Sequence, residues 1–305
     1  MTESNYDGPG RYADILLDNW FKRAFQEYGN APRLMLLFLQ AIIPERNIAR
    51  IEYAPQESTN QNPDKKGIRV DVECYDEKGR RFVVEVQRSE QHSFYDRAVF
   101  NSTFAVQRQL RSGDGYRFPP VYFIGIMQFT LHPDDERFLF RYSLTEDSSG
   151  ERMTDDLHYI FLEVPKCRNR AEASLLEKIG YALCNMPRFT RRPDGFEGEL
   201  FDLLFSSAEI SIFTPEEKIK YHNDMTTERD IRNQIAFARD KGLEQGLEQG
   251  LEQGRAEGEA LGIEKGTARR NIEIARAMLE DKLDIKAIKK YSGLSEEEIL
   301  QLRAK

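Results

Sequence analysis

The sequence predicts an α/β fold in which helices flank a mixed central sheet. Residues 68–88, IRVDVECYDEKGRRFVVEVQR, alternate apolar and polar side chains on both sides of a turn, as an antiparallel hairpin does. Residues 119–129, PPVYFIGIMQF, form a continuous apolar run that is typical of a strand buried on both faces. Amphipathic helical patterns precede and follow these strands, so we expect helices to cover the sheet.

Two helices are predicted before the hairpin. Residues 14–28 repeat apolar side chains three and four positions apart, which indicates one buried helical face. Residues 31–43 open with Pro32 in a favourable first-turn position and stop before Pro44. The polar residues 54–67 are rich in turn formers and predict a loop that leads into the hairpin.

The elements after the hairpin follow from the same patterns. A helix is predicted at residues 94–110, the buried strand at 119–129, another strand at 157–164 and a helix at 171–185. Strands interleaved with helices in this way favour a layered α/β domain, which we place at residues 1–215.

The C-terminal third of the chain has a different character. Glycine occupies every fourth position from Gly242 to Gly266, within a charged segment that we place at residues 216–270. Each glycine costs a helix about 1 kcal/mol relative to alanine, so the segment is either a weakly helical spacer or a ridge for close self-association. Residues 271–305 predict three short helices, the last started by a Ser295–Glu298 capping box. Their proportions are those of a helix-turn-helix. Helical hairpins that never contact DNA have the same proportions.

Composition excludes several functional classes. A formal charge of -8 argues against indiscriminate coating of nucleic acid but is compatible with a local basic cleft. The most apolar run, residues 34–43, is half the length of a membrane helix, and the start lacks a secretory pattern. Three cysteines are a poor disulfide framework. We therefore expect a cytoplasmic protein without a membrane partner.

Other sequence signals for cofactors are weak. No glycine-rich phosphate loop of the Walker type occurs, so we expect no nucleotide cofactor. The four histidines are scattered outside ligand spacing, and we interpret them as ordinary residues: His92, His132, His158 and His222.

The hairpin carries an unusual polar face. If its turn centres on Lys78, Asp71 lies directly opposite Glu85, with Cβ atoms about 5 Å apart, and Gln87 shares the same face. Two carboxylates held so close repel each other, and a magnesium ion would offset that repulsion. The alternative is an exposed polar face on which the acids pair with Arg69 or Arg81. The pattern alone leaves both readings open.

A resemblance favours the metal site. Residues 66–87 resemble the catalytic hairpin of the PD-(D/E)XK nuclease superfamily, restriction-endonuclease-like in fold. More specifically, they resemble its recombination-promoting nuclease and transposase family, whose motif ends in glutamine in place of lysine. DNWFKRAF, YDRAVFNS, QLRSGDGY and the tail resemble that family too. The matching hairpin and opening positions are Lys66, Arg69, Asp71, Gly79, Glu85, Gln87, Asp18, Phe21, Lys22 and Phe25.

The resemblance implies metal-dependent cleavage of DNA and implies roles for single residues. Asp71 and Glu85 would be the metal ligands, with Glu57 as a further ligand, and the ion would be Mg²⁺ with Mn²⁺ as a substitute. Gln87 would orient the attacking water without supplying the charge of a lysine. The remaining candidates are Lys66 and Arg97 as catalytic cations, and Lys22, Arg69 and Arg108 as DNA-binding residues.

A rival function belongs to another class. A catalytically inactive DNA-binding or oligomeric interaction protein would keep the fold and lose the chemistry. One departure from the family pattern is Phe100, which stands where the family usually has a tyrosine. For an active enzyme the expected partners are DNA and a second copy of the chain, because double-strand cleavage needs two active sites.

Overall fold

The computed structural model describes residues 10–55, 70–89, 93–111, 113 and 115–303. The described residues up to Asp224 form one compact unit, and those from Met225 onward form a second. The first unit is built on a mixed six-stranded sheet flanked by helices, so the predicted fold class is confirmed.

The strand order in the sheet is β1-β2-β3-β4-β6-β5. Strands β3, β4 and β6 run parallel to one another, whereas β1–β2, β2–β3 and β5–β6 are antiparallel pairs. The hairpin and both long strands are thereby confirmed, and the two edge strands β1 and β5 are additions to the prediction. The bounds are β1 Ile51–Tyr53, β2 Val72–Asp76, β3 Arg81–Gln87, β4 Val121–Met127, β5 Leu139–Ser143 and β6 Leu157–Glu163.

The helices of the first unit agree with the prediction except at the first one and at α5, which was not predicted. The first begins at residue 18 and changes at Arg23–Glu27 to a π-helical turn. None of the helices in the described part of the chain is long and apolar enough to cross a membrane. The bounds are α1 Asp18–Lys22, α2 Ala31–Ile42, α3 Phe94–Gln107, α4 Leu175–Asn185, α5 Glu199–Ala208, α6 Pro215–Glu280, α7 Ile285–Ser292 and α8 Glu296–Arg303.

The two faces of the sheet carry separate cores. Val84 and Val86 point to one face, where they join a large apolar cluster with residues of α1, α2, α4 and α5. Val83 and Phe161 point to the other face and pack against Phe94 of α3 in a smaller cluster. Because side chains alternate along a strand, the polar residues of the hairpin's second face lie beneath α3.

The turn of the hairpin is held by its own side chains. The Asp76 carboxylate accepts hydrogen bonds from the backbone N–H groups of Lys78 and Arg80, each at 2.9 Å, and from the Arg80 Nε at 2.5 Å. Gly79 adopts φ +76°, a left-handed conformation that favours glycine. The turn therefore determines which residues of β2 and β3 face each other.

The first turns of α6 pack against the start of the chain. Arg23 is buried in the π-helical turn, where its Nε donates to Glu217 at 2.6 Å and its guanidinium also donates to the Ser207 carbonyl at 2.9 Å. The Trp20 indole donates to Asp224 at 2.9 Å. These contacts make the beginning of α6 part of the first unit.

The second unit ends in the C-terminal part of α6 and the short helices α7 and α8, so the first of the three short helices expected at residues 271–305 is instead the end of the long helix α6. Ala275 of α6, Ile288 of α7 and Ile299 of α8 form its small buried core. The predicted capping box is confirmed, because Ser295 N–H donates to the Glu298 carboxylate at 2.8 Å and Glu298 N–H donates to the Ser295 hydroxyl at 3.3 Å. The glycines from 242 to 266 lie within α6, and a methyl group added at any of them would meet open space.

A glycine on β4 makes room for the aromatic core beneath α3. Gly125 pairs with Glu85, and a Cβ there would lie 2.9 Å from the Phe161 ring and 3.1 Å from the Phe94 ring.

We expect Gly125→Ala to lower the free energy of unfolding by about 1–3 kcal/mol through overpacking, as measured by urea denaturation. Gly250→Ala, in open helix, is the matched control and should not destabilise the protein. Equal effects of the two changes would contradict the packing argument.

Candidate active site

Asp71 and Glu85 meet at the open end of the hairpin. Val72 pairs with Val84, so the register predicted from a turn at Lys78 is confirmed and, continued by one residue, sets Asp71 opposite Glu85. The Asp71 Oδ2 accepts a hydrogen bond of 2.7 Å from the Val86 N–H. This bond fixes the Asp71 carboxylate beside β3 even though Asp71 itself precedes β2.

Glu85 is an acid buried beneath α3. It is 3 % exposed, its Oε1 accepts a hydrogen bond of 2.7 Å from the Asn101 amide, and its Oε2 lies 3.4 Å from the Arg97 guanidinium. Burial raises the pKa of Glu85 to about 7, and the negative charge of Asp71 adds to that rise, while Arg97 opposes it. The structure thus excludes the reading in which Glu85 is part of an exposed polar face.

A second buried acid on the same face, Glu73, has different ion-pair partners from Glu85. Glu73 accepts bonds from two guanidinium groups, Arg81 at 2.9 Å and Arg108 at 2.5 Å. Arg108 was predicted to bind DNA, and the structure places it in this ion pair at the end of α3. The charge of Glu73 is therefore balanced by two guanidinium groups. Glu85 instead accepts one hydrogen bond from the Asn101 amide and has one contact of 3.4 Å with the Arg97 guanidinium.

Gln87 ends β3 on the same face as Glu85, because the two residues are two apart on the strand. It is 7 % exposed, and its Nε2 donates to the Ser89 carbonyl at 3.2 Å. That contact orients the amide at the carboxyl end of the strand, where the parallel strands of α/β sheets commonly bind ligands.

The other predicted site residues divide into two groups. Lys66, Arg69 and Glu57 lie outside the described residues, so their roles stay predictions. Lys22 lies on α1 with its ammonium 3.6 Å from Glu27, and Arg97 lies on α3 against Glu85. Their roles in binding DNA and in catalysis also remain predictions.

Asn101 is a site residue that the sequence analysis did not single out. A signal was present, because residues 97 and 101 are one helical turn apart and share a face of α3. What the sequence lacked was the orientation of that face towards Glu85, which depends on how the helix packs on the sheet.

The donor set fits a divalent cation held by few protein ligands. Within the described ranges, no group of three or more histidine, cysteine, aspartate and glutamate side chains gathers as a metal centre. Two neighbouring carboxylates remain, and Mg²⁺ typically binds one or two carboxylates and leaves its other positions to water and phosphate. Burial is the main cause of the raised pKa of Glu85, so a cation bound beside it would favour the charged form of the carboxylate.

Comparisons with known proteins agree with this geometry. A model of the PD-(D/E)XK nuclease family transposase matches residues 15–238, which include all of the sheet and α1 to α5. A second model, the C-terminal HTH domain of the Rpn/YhgA-like nuclease family, matches residues 269–304. Searches among curated proteins and among solved structures returned no match. The first match covers more than half of the chain, and the family suspected from the hairpin is confirmed: the protein belongs to the PD-(D/E)XK nuclease family of transposases.

Proposed function

We propose that the protein is a metal-dependent DNA endonuclease that hydrolyses phosphodiester bonds at the open end of the β2–β3 hairpin. The observation that carries the proposal is the pair formed by Asp71 and the buried Glu85, which places two carboxylates side by side in a nuclease fold. Association with recombination or a mobile element is part of the proposal and rests on the family alone.

Asp71 and Glu85 would hold the metal, with Mg²⁺ as the expected ion and Mn²⁺ as its substitute. When bound, the ion would polarise the phosphate and stabilise the charge that develops on its oxygens. The chain prepares for this by fixing Asp71 through the Val86 N–H and Glu85 through the Asn101 amide. Carboxylates must lose their protons to bind a metal, so the raised pKa of Glu85 makes metal affinity dependent on pH near neutrality.

Gln87 and Arg97 would supply the remaining chemistry from this chain. An amide cannot take up a proton at neutral pH, so Gln87 would orient water by hydrogen bonding and would not act as a base. The Arg97 side chain is 36 % exposed, and its guanidinium lies 3.4 Å from Glu85. It would add positive charge at the position where a lysine is missing.

The second unit supports DNA binding and self-association. The match to an HTH domain at residues 269–304 favours contact with DNA by α7 and α8. Leu243, Leu247 and Leu251 each follow a glycine of α6 and are more than 70 % exposed, which favours pairing with a second copy of the chain. A dimer would bring two active sites to one duplex.

The first prediction tests the catalytic pair on supercoiled plasmid DNA. Asp71→Asn keeps an acceptor for the Val86 N–H but removes the charge. Glu85→Gln keeps an acceptor for the Asn101 amide and also removes the charge. We expect each change to lower Mg²⁺-dependent nicking by at least about 100-fold, because loss of a direct ligand should exceed the 10–100-fold effect of outer-shell changes. Nicking rates on agarose gels, with and without Mg²⁺, measure the effect.

Glu73→Gln is the matched control, since Glu73 is also buried on the same face but paired with two arginines. It should keep metal-dependent cleavage. Metal-independent cleavage, or full activity of both the Asp71→Asn and Glu85→Gln proteins, would remove the hairpin as the active site. If the wild type and every variant leave the plasmid intact, and DNA binding does not depend on the metal, the rival interpretation of an inactive DNA-binding protein would be supported.

The second prediction concerns the pH dependence of stability in the absence of metal. Between pH 4.5 and about 7 the folded protein binds a proton at Glu85 that the unfolded chain has released, so stability falls as pH rises through this window. The difference corresponds to about 3 kcal/mol at pH 8. Glu85→Gln, neutral throughout, should therefore be more stable than wild type at pH 8 and similar at pH 4.5.

Denaturant unfolding at the two pH values measures this difference. Added Mg²⁺ should stabilise the wild-type protein at pH 8 and leave Glu85→Gln nearly unchanged, because a ligand stabilises only the state that binds it. A Glu85→Gln protein that is less stable than wild type at pH 8 would show that the charged carboxylate is favourable where it stands.

A further inference from the structure

A second polar cluster lies at the carboxyl end of β6. Glu163, the last residue of that strand, is 0 % exposed. Its Oε1 lies 2.6 Å from the His132 Nδ1, and its Oε2 lies 2.7 Å from the Lys166 Nζ. The same Lys166 ammonium donates to the His132 carbonyl at 2.6 Å. The carboxylate and ammonium together fix the position and the tautomer of the imidazole.

The other nitrogen of this histidine faces two phenols. The His132 Nε2 lies 2.9 Å from the Tyr142 hydroxyl and 3.5 Å from the Tyr95 hydroxyl, and the two hydroxyl oxygens are 3.4 Å apart. The imidazole stacks on the Phe140 ring at 3.9 Å between centroids. Tyr95 and Tyr142 are 43 % and 38 % exposed, so a ligand in solvent can reach both hydroxyls.

The hydrogen-bond donors of this cluster suit an anion. Glu163 accepts the proton on Nδ1, so a neutral His132 accepts the Tyr142 O–H at Nε2. The contacts of the Tyr95 hydroxyl are longer than the 2.5–3.0 Å of ordinary O–H···O bonds, and its O–H can turn towards a ligand. Rotation of the Tyr142 hydroxyl away from Nε2 would offer an anion a second O–H donor, because the two hydroxyl oxygens are only 3.4 Å apart.

The cluster lies on the same face of the sheet as the hairpin acids. Gln87 pairs with Met127, and Met127 pairs with Glu163, in one row across three parallel strands. Strands are separated by about 4.8 Å, so the backbone at Glu163 lies about 10 Å from that at Gln87. This separation is of the order of the spacing between nearby phosphates of one DNA strand, which recur every 3.4 Å along the helix axis.

We propose that Tyr95, Tyr142 and His132 form a binding site for a backbone phosphate of DNA close to the cleaved bond. The identity of the anion as DNA rests on the proposed nuclease function, whereas the existence of an anion site rests on the cluster itself. These three side chains would bind the substrate's backbone and leave the chemistry to the hairpin. Glu163 and Lys166 hold the imidazole in place.

The binding of labelled DNA in the absence of divalent metal tests the site without cleavage. Tyr95→Phe and Tyr142→Phe should each weaken the affinity of a short duplex by about tenfold, since each removes a hydrogen bond to a charged group. Tyr116→Phe is the matched control, because Tyr116 is 95 % exposed, and it should bind as wild type does. Thermal melting of all three proteins verifies folding, and Tyr95→Phe carries the test if Tyr142→Phe unfolds.

Steady-state cleavage separates this proposal from the nuclease assignment. With an active enzyme, the tyrosine changes should raise KM by about the same factor as Kd and leave kcat unchanged. Weakened DNA binding in a protein that never cuts would uphold the anion site and reject the nuclease. Cleavage that needs Asp71 and Glu85, with Kd and KM unchanged in both tyrosine variants, would overturn the anion site and make the cluster a structural link between β5, β6 and α3.

Discussion

The register of one hairpin is the constraint on which the site depends. Asp76 and Gly79 shape a turn that admits one pairing of β2 with β3, and that pairing sends Val84 and Val86 to the large core and Glu85 to the face beneath α3. A shift by one residue would exchange the two faces and bury the carboxylate among apolar side chains. The energetic penalty for that exchange is large, so the same force that builds the core also positions the acids.

Helix α3 decides what each buried acid becomes. It delivers Arg108 to Glu73, which Arg81 also contacts, and the result is a compensated ion pair that suits a structural role. To Glu85 it delivers the Asn101 amide and the Arg97 guanidinium at 3.4 Å, and the result is an acid whose pKa burial raises to about 7. Two glutamates on one face of one hairpin thus differ in chemistry because of the helix above them, which is how protein environments commonly tune acids.

Local patterns predicted much of this structure. The hairpin register, α2, β4, β6 and the Ser295 capping box all depend on neighbouring residues, and the sequence alone predicted each of them. The edge strands β1 and β5 were not predicted, because β1 has three residues and β5 exposes much of its length, so neither has a clear hydrophobic run. His132 was interpreted as ordinary, since its partners come from α3, β5 and β6, and only the assembled sheet brings them together.

The contacts at the start of α6 have a practical consequence for dissecting the protein. A fragment that stopped at residue 215, where the sequence alone suggests a boundary, would lose the Glu217 carboxylate and the Asp224 acceptor. Arg23 would then keep its buried guanidinium without its anionic partner, and the indole of Trp20 would lose its acceptor. An uncompensated buried charge is strongly destabilising. A nuclease fragment made for expression or crystallisation should therefore extend beyond Asp224, with the cut made in the exposed middle of the helix.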